Sequence, residues 1–321
     1  MNDAKIVNTL TSVGADGYVS AEDVLFLRRN VFADGVVSRT ELTALFALAE
    51  KAPAGDREWA DYFAEATTDF FLREEEPQGY LTDAEFSMLK SLVTRDGVKA
   101  SAIELGLLVS LLEKAVSTPA GMTDFTAEQI RRVVADMKGG AYIDASLSAL
   151  VRRFLYAAGG DGAIAVTKDE AELLFDLHDM TADAHNDPAW ADLVIKAVAA
   201  HLMAHVGYAP LPREEALRLH DWVSDQTVNP GGFFNRMYSG GLSAIVGAYG
   251  KKKSIRTRRN EDDAIAAAIA EQVTAQEADW LADRIGRNGQ LDELERALIA
   301  YMRELDAELP PKLAALVEHA A

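Results

Sequence analysis

Residues 17–52 and 79–115 of this 321-residue chain carry the same anchors in the same order. Both open on Gly-Tyr (Gly17-Tyr18, Gly79-Tyr80), turn at Asp-Gly (Asp34-Gly35, Asp96-Gly97) and close on Glu-Lys-Ala (Glu50-Lys51-Ala52, Glu113-Lys114-Ala115). A third copy begins at Ala141-Tyr142-Ile143-Asp144 and turns at Asp161-Gly162. A fourth begins at Gly207-Tyr208, breaks off after Trp222, and resumes at Glu277-Ala278-Asp279-Trp280 with Asn288-Gly289 as its turn. A chain built this way buries the apolar faces of successive like units against one another. The copies pair off around two related segments, Asp56-Arg57-Glu58-Trp59-Ala60-Asp61 and Asp187-Pro188-Ala189-Trp190-Ala191-Asp192. The expected organisation is therefore a tandem duplication: a first half, 1–118, and a second, 119–321, interrupted by an insertion at 226–274.

Each unit reads helix–turn–helix. Residues 42–48 and 105–112 place apolar side chains at three- and four-residue spacing, the period of a half-buried helix. Helix starts are predicted where a hydroxyl is followed three residues later by a carboxylate or amide, so that each satisfies the other's exposed N–H. Ser20…Asp23, Ser38…Glu41, Thr82…Glu85, Thr126…Gln129 and Thr274…Glu277 fit that pattern. No sustained apolar–polar alternation marks a strand. The predicted fold is all-α, with EF-hand-like helix–turn–helix units and about fourteen helices.

The Asp-Gly turns invite a test for calcium, which takes six to eight hard oxygens from a twelve-residue loop. The loop from Asn30 to Glu41 has glycine and glutamate in the expected places, but Phe32 stands where an oxygen is needed. Ser38, Glu41 and Gly35 are equally explained as a helix cap and a left-handed turn. The loop from Glu74 to Glu85 offers a better set in Glu74, Glu76, Gln78, Thr82 and Glu85. These turns, each with a capping Ser or Thr and then Glu, resemble those of bacterial tellurite-resistance TerB-type domains and of EF-hand-like helical domains. The resemblance implies a compact all-helical cytoplasmic module tied to metal stress or to a membrane-associated complex.

Five histidines, His178, His185, His201, His205 and His220, fall close together in the second half. His201 and His205 are four apart on a predicted helix, so both rings leave one face, the spacing of helical zinc sites. A zinc site needs at least one more ligand, which His178, Asp179 or His220 could supply through tertiary contact. Leu202 follows His201, where a metalloprotease needs glutamate. The competing reading is a pair of partly exposed helix histidines; Phe70 occupies the place of His201 in the first half.

No catalytic constellation is visible. The chain has no cysteine, no Gly-x-Ser-x-Gly elbow and no phosphate-binding Gly-Lys-Ser/Thr. The expectation is a non-enzymatic protein without a resident cofactor, calcium or zinc being the alternative.

With 32 Lys plus Arg against 51 Asp plus Glu, the net charge is −19, which disfavours nucleic acid or an anionic membrane as partner for the body. The insertion departs from this. Residues 229–250 are glycine- and aromatic-rich with Arg236 as their one charge, and residues 251–259 hold six cations. Phe233, Phe234, Met237, Tyr238 and Tyr249 could anchor an unidentified protein partner, flanked by Lys251, Lys252, Lys253, Arg256, Arg258 and Arg259. Peripheral membrane contact through Lys251–Arg259 is a further expectation, and a solvated surface loop is the plain one. An unremarkable N-terminus and the absence of an apolar run near 20 residues point to a soluble cytoplasmic protein.

Overall fold

A computed structural model of the chain describes residues 3–137 (apart from 34, 37 and 98), 140–158, 166–204, 275–285, 287 and 291–304. Twelve α-helices lie among these residues, and the fold is all-α. In chain order they are α1 Asp3–Val13, α2 Ala21–Phe26, α3 Arg39–Lys51, α4 Arg57–Asp69, α5 Asp83–Val93 and α6 Ala102–Lys114. There follow α7 Met122–Ala135, α8 Ala145–Ala158, α9 Lys168–Met180, α10 Pro188–Ala204, α11 Ala275–Arg284 and α12 Glu293–Glu304. Two short parallel strands, β1 Tyr18–Val19 and β2 Ala54–Gly55, pair Tyr18 with Ala54 and Val19 with Gly55.

The chain forms two compact units, Met1–Ala141 with Leu150–Gly160, and Tyr142–Ala149 with Asp161–Ala321. The division expected at 118 falls inside the first. There α7 packs on α6, and the buried Gln129 side chain accepts the Ala100 N–H at 3.0 Å.

Local rules account for the helix starts. Ser20, Ser38 and Thr82 form reciprocal capping boxes with Asp23, Glu41 and Glu85, as predicted. Ser101 with Glu104 and Thr167 with Glu170 form two more. Thr126 does not start a helix. It lies within α7, fully buried, and its hydroxyl donates to the Met122 carbonyl at 2.9 Å. An apolar residue in the preceding turn, Met122, is buried and extends the helix backwards past the hydroxyl. Thr274 lies outside the described residues.

In the first unit α4 is the central helix, packed on α6, α2 and α3. Trp59 and Phe63 meet edge to face with ring centroids 5.8 Å apart, and Phe46 of α3 meets Phe63 at 5.1 Å. Such contacts add about 0.5–1.5 kcal/mol each to simple area burial. Gly55 permits this packing: a Cβ there would come within 2.6 Å of the Val19 carbonyl and 2.7 Å of the Trp59 ring. Asp56, just before α4, ties the unit's entry together. Its carboxylate accepts the Tyr18 hydroxyl at 2.5 Å and the Ala21 N–H at 2.8 Å, and both bonds hold its pKa below the ordinary value.

In the second unit the residues before α10 make contacts of the same kind. The Asp187 N–H donates to Ile143 O at 2.7 Å, as Asp56 N–H does to Val19 O at 3.0 Å. Trp190, like Trp59, is 1% exposed. Here α10 packs on α9 and α12.

Candidate functional site

The loop 74–85 does not converge on an ion. Glu74 ends a π-helical turn, Phe70–Glu74, that extends α4, and Glu74, Glu76 and Gln78 are all exposed. The Gln78 amide nitrogen donates to the Arg73 carbonyl at 2.8 Å. Glu85 is buried and accepts the Thr82 N–H at 2.7 Å, which commits it to the cap of α5. Of the neighbouring carboxylates it is Glu75 that finds a cation, Arg39, through two bonds of 2.8 and 3.1 Å. In the preceding loop Phe32 is a core residue, 3% exposed, and Gly35 takes φ +90°, the left-handed turn expected of it. Among the described residues no group of three or more His, Asp or Glu side chains is arranged to hold a metal.

His201 is a core residue. It is 2% exposed, in place of the partly exposed helix position expected for it, and its Nδ1 lies 2.8 Å from the Val166 carbonyl. A carbonyl only accepts, so Nδ1 carries the hydrogen. The reason is positional. Phe70, set against it by the sequence comparison, is equally buried, and a histidine in such a place requires a polar partner that phenylalanine does not. His205 lies outside the described residues.

The polar centre of the second unit is one that spacing arguments missed. Glu172, Asp176 and Asp179 lie at helical spacing along one face of α9. Arg284, at the end of α11 and 5% exposed, meets all three: Nε to Glu172 at 3.1 Å, Nη2 to Asp176 at 2.8 Å and Nη1 to Asp179 at 3.5 Å. Its guanidinium also lies over Phe175, 5.3 Å from the ring centroid. Burial pushes the Asp179 pKa up against the opposing pull of Arg284 and His178. The acidic ladder at 172, 176 and 179 was visible in the sequence; its cation, 105 residues or more away, was not.

One turn along α9, His178 is 5% exposed and its Nε2 lies 2.6 Å from Asp292 Oδ2. Asp292 is also the cap of α12, its Oδ1 accepting the Glu295 N–H at 2.9 Å. Burial alone would raise the Asp292 pKa, but the His178 bond and the N–H groups of Glu295 and Leu294 hold it below the ordinary value. The carboxylate is therefore ionised and His178 Nε2 is the donor. His178 Nε2 is thus held by the cap of α12.

Further contacts join the end of α10 to α11. His201 is near the end of α10 and Trp280 is within α11, and their rings meet edge to face at 5.3 Å. Trp280 also meets Phe175 at 5.8 Å, and its indole N–H donates to Glu172. Phe233, Phe234, Met237, Tyr238, Tyr249 and the cations Lys251, Lys252, Lys253, Arg256, Arg258 and Arg259 all lie outside the described residues, as do His205 and His220. No helix among the described residues is long and apolar enough to cross a membrane.

Compared with protein-family models, characterised proteins and solved structures, the chain matches none.

Proposed function

We propose that this chain is a non-enzymatic helical-repeat interaction module whose contact element is the segment 226–260. The observation that carries the reading is the meeting of His201 and Trp280, with ring centroids 5.3 Å apart. His201 and Trp280 stand on either side of residues 205–274 and touch, so α9, α10, α11 and α12 pack together. The segment 226–260 has the composition of a contact element. Its chemistry fits a contact role: aromatic anchors in 229–250 supply buried area, and six cations in 251–259 supply long-range attraction to an acidic partner surface. The remaining chain carries −19 − 6 = −25, so the tract is the chain's densest run of positive charge.

The duplicated, TerB-like frame belongs to this same proposal. It is supported by the matched entries to α4 and α10, where Trp59 and Trp190 are buried alike. Divalent-cation binding gains no support from the 74–85 loop, because Glu85 is committed to the cap of α5.

Photo-crosslinking tests the proposal. A photoreactive amino acid placed at Phe233, Tyr238 or Tyr249 captures one common protein in cells, whereas the same group at exposed Thr43 on α3 does not. Equal capture from all four positions would contradict it.

A further inference from the structure

We draw no further inference here: the strongest candidate, the groove between α1 and α3 whose only charged lining residues are Arg39 and Lys51, carries nothing because Arg39 is bound to Glu75, Lys51 is bound to the Thr11 carbonyl, and nothing in the structure shows what covers it.

Discussion

His201 and Trp280 stand edge to face, 5.3 Å between ring centroids, although 78 residues separate them in the chain. The histidine is fixed from the other side by Val166, so this contact is part of a packed core. Substitution separates the two roles. His201→Phe keeps the aromatic contact and loses the carbonyl bond, a cost of about 1–3 kcal/mol. His201→Ala also opens a cavity and costs about 2–5 kcal/mol. Urea unfolding measures both, and zinc at millimolar concentration leaves the wild-type midpoint unmoved. A zinc-dependent rise in midpoint that His201→Phe abolishes would contradict this assignment.

Arg284 holds α11 against α9 through three carboxylates. Removing the cation leaves Glu172, Asp176 and Asp179 facing one another across a partly buried surface. Breaking a fully buried pair costs about 3–5 kcal/mol. The carboxylates here are 31–43% exposed, so solvent screening reduces the expected loss for Arg284→Ala to roughly 2–3 kcal/mol. Among Arg284→Ala, Glu172→Gln, Asp176→Asn and Asp179→Asn, the last has the smallest effect, since its ion contact is the longest and burial already disfavours its charge. Thermal unfolding of the four variants gives the order directly.

Asp292 couples stability to acid. Its folded pKa lies below the ordinary carboxylate value, so its contribution is present above the unfolded pKa, near 4, and is lost as pH falls through the folded value. Glu170 has the opposite sign, because burial raises its pKa. Its protonation therefore favours the folded state as pH falls toward the unfolded value. In urea titrations between pH 6 and roughly pH 3, Asp292→Asn flattens the acid loss of stability and Glu170→Gln steepens it. Parallel curves for wild type and Asp292→Asn would contradict the assigned role.

Thr82 and Thr126 occupy the same short motif in the sequence and different places in the structure. Thr82 caps α5, and Thr82→Val costs about 1 kcal/mol or more of stability. Thr126 is inside α7 and donates only to the carbonyl one turn back, so Thr126→Val costs less. Chemical denaturation of the two variants tests the distinction.

These contrasts show what could be read from the residues alone. Ser20, Ser38 and Thr82 were legible as helix starts because a cap depends on residues three apart. Thr126 was misread because the same spacing arises inside a helix when an earlier apolar residue, here Met122, is drawn into the core. The all-α class followed from period and from repeated turns, which are local. The site was different. His201 looked like a ligand because one-dimensional spacing shows which residues share a face but not whether that face is buried. Arg284 was invisible as the partner of Glu172, Asp176 and Asp179 because tertiary packing, not spacing, brings them together.

The central claim is that segment 229–259 carries the partner contact on a frame that folds without it. Its most direct measurement is partner capture by the full chain against a variant lacking 229–259, with helical content and melting temperature recorded on the same samples. The account predicts an unchanged melting transition and loss of the partner crosslinked from Phe233 and Tyr238. An intact fold that still captures the same partner would contradict it.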